Sequence, residues 1–300
     1  MLDVLTGFAI IFTVIAAGWW LAQKKVIGPG EQRLQLNRIA FHVATPSLIF
    51  SSVAVSETDA FFSPVILVIA IATVVTMLIF WAISAVWFKQ DAAETMAGAA
   101  SSSYYNSVNI GLPIATYVLG DPTYVIPALV LQMAVLSPIV IAGLDRGASG
   151  LLKSVIAGLK APVVVAAFAG FAVSASSWTV PEPVLAPLQI LGGASIPMIL
   201  MSFGASLTGE KVLQSQRLAT TTATILKLIG MPAVAWGVAS LLGLTGSDMY
   251  AALILCALPT AQNVYNYAAT YRSGEVICRD TVFLTTFLSL PAMLLIAGVF

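Results

Sequence analysis

Apolar residues run almost unbroken for 19 to 28 positions at a time along this chain, too long for a soluble core. A helix needs about 20 apolar residues to cross a hydrocarbon layer of roughly 30 Å at about 1.5 Å per residue. Ten runs meet or approach that length: Leu2–Leu21, Leu36–Val55, Phe61–Phe88, Met96–Gly120, Tyr124–Ala142, Ala161–Thr179, Val184–Leu207, Thr221–Leu244, Met249–Tyr271 and Val276–Phe300. The pattern predicts an all-α integral membrane protein of ten transmembrane helices.

Charge turns that count into a topology. Only 9% of the 300 residues are charged, against 59% hydrophobic, so each charged position carries information. Lys24, Lys25 and Arg33 follow the first run, with Arg38 just inside the second. Lys89 follows the third run, Arg146, Lys153 and Lys160 the fifth, and Lys211 and Arg217 the seventh. Lys227 lies about two turns into the eighth, while Arg272 and Arg279 flank the join of the ninth and tenth. The other loops hold only acids (Glu57, Asp59, Asp121, Glu182, Asp248), with Asp3 at the start. Short loops rich in Lys and Arg stay cytoplasmic. This threading therefore puts all 13 basic residues inside and both termini on the non-cytoplasmic side of a cell (inner) membrane. The first run lacks the preceding basic residues of a signal peptide and reads as a span. Arg38 and Lys227 are expected to snorkel to the cytoplasmic surface. The basic loop Leu144–Lys160 reads as an interfacial connector.

The chain reads as written twice, residues 1–145 and 146–300. Pro46 precedes Ser51 by five residues in the second run, and Pro197 precedes Ser202 by five in the seventh. Pro113 and Pro259 follow these prolines after 67 and 62 residues. Because five helices is an odd number, the second copy would enter the membrane from the opposite face. Such an inverted repeat is common in secondary transporters.

The fourth and ninth runs are the polar ones. Ser101-Ser-Ser-Tyr-Tyr105-Asn106-Ser-Val-Asn109-Ile-Gly111-Leu-Pro113 lies in one, Pro259-Thr-Ala-Gln262-Asn263-Val-Tyr265-Asn266 in the other. Proline removes a backbone donor and collides with the carbonyl four residues back, and irregular backbone at this depth lines a cavity or is buried in protein. If each run breaks near its proline, two half-helices begin near the midplane. Their N-termini carry partial positive charge and free amides, and would form an anion site without a cationic side chain. The alternative is two kinked helices whose Asn and Ser glue neighbours together. The candidate substrate-binding set is Asn106, Asn109, Gly111, Pro113, Pro259, Gln262 and Asn263, with Tyr105, Tyr265 and Asn266 beside them.

Asn106-Ser-Val-Asn-Ile-Gly111-Leu-Pro113 resembles the fourth-helix motif of the auxin efflux carrier family, and Ala257-Leu-Pro259 with Tyr267-Ala-Ala-Thr-Tyr271 its ninth-helix pattern. Only about 18 residues separate the fifth and sixth runs, as in the compact prokaryotic branch. The resemblance implies a fold like that of bile-acid and sodium/proton exchangers, with helices 4 and 9 broken and crossed. It further implies a scaffold of helices 1, 2, 6 and 7, often dimeric, and a transport domain of helices 3–5 and 8–10. The Asn at position 106 would hold a substrate carboxylate, and prokaryotic substrates would be malonate- or malate-like. Val264 stands where plant members often have proline, which sets an auxin-like substrate apart.

Other chemistry is scarce. His42, the one histidine, lies about 12 Å into the second helix, where it reads as a neutral side chain bonded to a neighbouring helix or as a proton relay. Lys227 and an interfacial Glu94 complete the candidate coupling groups, for protons or sodium. Cys256 and Cys278 lack metal-ligand spacing; no metal or cofactor is called for. One histidine and no deep acid exclude most catalytic constellations, and Gly193-Ala-Ser195-Ile-Pro197 misses the nucleophile-elbow pattern. No basic patch with interleaved aromatics suggests nucleic acid. A secondary carrier of small organic anions is the expected function, with an anion channel or a non-transporting sensor as the alternatives.

Overall fold

The computed structural model describes residues 2–28, 35–36, 38–55, 63–145, 156, 159–160, 162–176, 178–206, 213 and 215–300. Arg33, Glu57, Asp59, Arg146, Lys153 and Lys211, and most of the connector 144–160, lie outside them. Among the described residues every regular element is helical, and the one β-type feature is a single antiparallel bridge between Tyr105 and Thr260.

Three helices, α1 (Leu2–Gln23), α2 (Ala40–Val53) and α3 (Pro64–Phe88), precede the polar region. The fourth run is divided into α4 (Ala92–Ser101) and α5 (107–117). After it come α6 (Pro122–Leu144), α7 (Pro162–Ala175), α8 (Glu182–Ala205) and α9 (Arg217–Leu241). The ninth run is likewise two helices, α10 (Gly246–Cys256) and α11 (Gln262–Tyr271), and α12 (Glu275–Val299) closes the chain. Five of these, α3, α6, α8, α9 and α12, are long and apolar enough to cross a membrane.

The prolines leave a regular mark. In α2, α5, α6 and α9 a five-residue π-turn ends two residues before a proline: Ala40–Ala44 before Pro46, Ser107–Gly111 before Pro113, Gln132–Leu136 before Pro138, Leu226–Gly230 before Pro232. Widening the preceding turn moves the carbonyl that a proline ring would strike, so the helix continues instead of breaking. Pro113 therefore does not interrupt its run, contrary to expectation. The π-turn absorbs it, with the Gly111 N–H reaching back to the Asn106 carbonyl at 2.7 Å.

The chain packs as two compact units. One comprises Met1–Phe62, Leu112–Val130 and Leu159–Glu210; the other comprises Ser63–Gly111, Leu131–Gly158 and Lys211–Phe300. In the first, α1 packs along the second half of α8. Their backbones touch: a Cβ on Gly18 would lie 2.1 Å from the Met201 carbonyl oxygen, and one on Gly204 1.9 Å from that of Ile15. Thr45 and Ser195, from the two proline motifs, share a hydroxyl–hydroxyl bond of 2.7 Å.

In the second unit Phe80, Ala99, Ala219, Ala223 and Ile277 join α3, α4, α9 and α12 in one apolar cluster. Helix α9 is built inside out for water: Leu218, Ile225, Ile229 and Trp236 are exposed, while Thr220, Thr224 and Lys227 are buried. Lipid is the solvent that such a helix matches. Lys227 does not snorkel, because it lies on the inward polar face, where its side chain is 0% exposed.

Replacing Gly204 with Ala should push α1 and α8 apart and cost roughly 1–3 kcal/mol, read as a lower melting midpoint of purified protein in detergent. An unchanged midpoint would contradict the close packing.

Candidate functional site at two paired helix breaks

Between α4 and α5 the chain leaves the helix over Ser102–Asn106, and between α10 and α11 over Ala257–Ala261. The two stretches belong to one unit and run antiparallel. The Asn106 N–H donates to the Pro259 carbonyl at 2.8 Å, and the Ala261 N–H to the Tyr104 carbonyl at 2.9 Å. Thr260 adds two bonds, its Oγ1 to the Ser101 carbonyl at 2.6 Å and its N–H to Thr285 Oγ1 at 3.0 Å. Buried backbone polar groups must be paired, and here each interruption supplies the other's partners. The ninth run leaves the helix around Pro259 and resumes it at Gln262. The fourth breaks ahead of Pro113, so the first-turn amides of the second half-helix belong to Ser107–Asn109 and not to the residues after Pro113.

Asn106 stands at that new N-terminus, 3% exposed. Its Oδ1 accepts from the Asn109 N–H at 3.0 Å, an N-cap that satisfies one first-turn donor. The same bond fixes the amide orientation and leaves Nδ2 buried without a hydrogen-bond partner. A carboxylate only accepts, so an amide Nδ2 beside helix N-terminal amides suits it.

The other candidates divide. Asn109, Gln262, Asn263 and Tyr265 are partly buried on the first turns of the two half-helices, whereas Asn266 is exposed. The Tyr105 ring is fully buried, and its main-chain carbonyl is held by Gln132 Nε2. Gly111 lies in the π-turn. Pro113, at the second position of the α-helical stretch Leu112–Tyr117, belongs to the first unit. Val264 is buried and uses its N–H on the Ala261 carbonyl at 3.1 Å, a bond that a proline at this position would forfeit. His42 is exposed, and its Nδ1 donates to the Arg38 carbonyl of its own helix at 2.9 Å, not to a neighbouring helix. Glu94 borders an open groove of about 690 Å³ with Lys89 and Arg217, about 10 Å along α4 from the break.

Several groups around the breaks escape sequence reading. Gln132 of α6, 1% exposed, holds both the Tyr105 carbonyl and the Ser107 hydroxyl. Ser137 receives the hydroxyls of Tyr104 and Tyr267, whose rings meet edge to face. The Lys227 ammonium donates to the Cys256 carbonyl at 2.7 Å, at the end of α10. Asp280, fully buried in the second turn of α12, accepts from the Leu213 N–H and from Arg279, both at 2.8 Å. Only the isolated glutamine in an apolar run hints at this in the sequence.

Long apolar helices around a buried polar break define a multi-pass helical membrane protein. The chain matches the family described as membrane transport protein over residues 3–153 and 146–297, and it belongs to that family, the auxin efflux carriers. A protein of Rhizobium meliloti (strain 1021), provisionally named a malonate transporter, is 25% identical over 303 residues, covering 96% of this chain and 93% of its own. A protein of Methanothermobacter thermautotrophicus, named as an uncharacterized transporter, is 23% identical over 301 residues, or 94% of each chain. Another from Methanocaldococcus jannaschii, named likewise, is 28% identical over 111 residues, 37% of this chain and 36% of its own.

Exchanging Gln132 for Leu would leave the Tyr105 carbonyl and Ser107 hydroxyl buried and unpaired, at a cost of about 1–3 kcal/mol each. The variant should melt several degrees below wild type; a wild-type melting curve would show that Gln132 does not brace the break.

Proposed function

We propose that this protein is a secondary carrier of small organic anions, carboxylates of the malonate or malate kind, bound where the two interrupted helices meet. The observation that carries this reading is Asn106: a buried amide donor without a partner, at a helix N-terminus whose break is tied to its neighbour by the Asn106–Pro259 and Ala261–Tyr104 main-chain bonds. Asn109, Gln262 and Asn263, on the same first turns, supply further donors. The relative named for malonate supports the substrate class.

In this reading the chain threads ten spans as two inverted sets of five, with the crossed pair in a transport domain. Helices 1, 2, 6 and 7 form a scaffold through which two copies associate. The grouping of 1–62 with 159–210 in one compact unit supports the scaffold, and that unit also takes in Leu112–Val130 from helices 4 and 5. Both termini face away from the cytoplasm, as the distribution of basic residues argues. Access to the site alternates between the two sides of the inner membrane. An uncompensated monoanion gains about 2.3 kcal/mol per 100 mV on leaving a negative-inside cell, so uptake against that field would need proton or sodium coupling.

The test is a thermal-shift screen of purified protein against mono- and dicarboxylates, with pH and sodium varied, repeated on Asn106→Ala. A dicarboxylate should raise the wild-type melting midpoint. The variant should fold normally and lose at least about tenfold in affinity, the worth of a hydrogen bond to a charged group. Equal binding by Asn106→Ala would remove the residue from the site. Saturable counterflow in vesicles would separate a carrier from a channel, and any ligand-driven flux would exclude a sensor.

A further inference from the structure

Four helix ends meet at the paired breaks. The N-termini of α5 and α11 each carry about half a positive charge, and the C-termini of α4 and α10 each carry about half a negative charge. To first order these contributions cancel. The hydroxyl of Thr260 covers the Ser101 carbonyl at the end of α4 but brings no charge. Helix dipoles alone therefore do not make this region favour an anion.

The end of α10 is different. Lys227, 0% exposed, places Nζ 2.7 Å from the carbonyl oxygen of Cys256 and 3.3 Å from Met231 Sδ. Among the described residues these are its polar partners, and neither is a carboxylate. Pro259, whose carbonyl holds the Asn106 N–H, lies three positions along the chain from Cys256, a span of at most about 10 Å. Through the 257–261 segment, a buried lysine without a carboxylate partner is tied to the stretch that carries a buried amide donor without an acceptor.

We infer that Lys227 supplies the net positive charge that makes the paired breaks an anion site, with the transported anion as its counter-ion. The inference deepens the carboxylate reading and rests on it. Lys227 acts through the field at the end of α10 and through the position of the 257–261 segment; it is a positioning and selectivity residue, not a direct ligand.

The experiment compares malonate binding by the purified full-length chain and three variants, with the unliganded melting midpoint recorded for each. Lys227→Met and Lys227→Gln should lose about tenfold in affinity, which is what a unit charge roughly 10 Å from an anion is worth at an effective dielectric of about 20. Lys227→Gln keeps a side-chain donor that can face the Cys256 carbonyl and should hold the unliganded melting midpoint near wild type, whereas Lys227→Met frees that buried carbonyl and should melt lower. Lys227→Arg keeps the charge and should bind within a few-fold of wild type. Two neutral variants that bind malonate as wild type does would overturn the inference, as would an arginine variant as weak as the glutamine one. Wild type that binds neither malonate nor any other carboxylate in the screen would overturn the carboxylate reading, and this inference with it.

Discussion

A helix interrupted inside a membrane leaves main-chain donors and acceptors with no water to take them, and this constraint organises the centre of the molecule. Two interruptions placed side by side in opposite directions solve it together. Asn106 and Pro259, Ala261 and Tyr104 exchange the bonds that neither segment can make alone, and Thr260 closes the end of α4 with its hydroxyl. The surrounding hydroxyls and amides follow from the same need. Gln132 and Thr285 each point at a main-chain group of the breaks, and Ser137 holds the Tyr104 hydroxyl beside them. What is left over after this pairing, the Asn106 Nδ2 and the charge of Lys227, is what a ligand can use.

The sequence made the class and the region of interest legible because both rest on strong local signals. Apolar runs long enough to cross hydrocarbon are hard to mistake, and polar clusters inside them are costly enough to mark function. Pro259 was readable as a break for the same reason. Pro113 was not, because proline has two outcomes in a helix. It ends the ladder, or the preceding turn widens to a π-turn and the helix runs on, as it does at Pro46, Pro113, Pro138 and Pro232. The choice depends on whether tertiary partners exist for the freed groups. At Ser102–Asn106 the main-chain partners of Tyr104 and Asn106 arrive from residues more than 150 positions away and that of the Tyr105 carbonyl from α6, which no local pattern reveals.

Side-chain direction was the other illegible quantity. Lys227 looks from its depth like a snorkelling residue, yet Thr220, Thr224 and Lys227 share the buried face of α9 while Leu218, Ile225 and Ile229 face out. Helical spacing groups these residues, but only packing says which group faces inward. That reversal matters for the proposed chemistry, in which the anion site no longer rests on helix termini alone. His42, by contrast, is exposed and bonded to its own helix.

The most direct test of the account is a structure of the full chain determined with a dicarboxylate bound. The account predicts the anion against Asn106 Nδ2, between the first turns that begin at Ser107 and Gln262, with Lys227 still on the Cys256 carbonyl. A dicarboxylate bound away from these two turns, or continuous helices through residues 102–106 and 257–261, would contradict it.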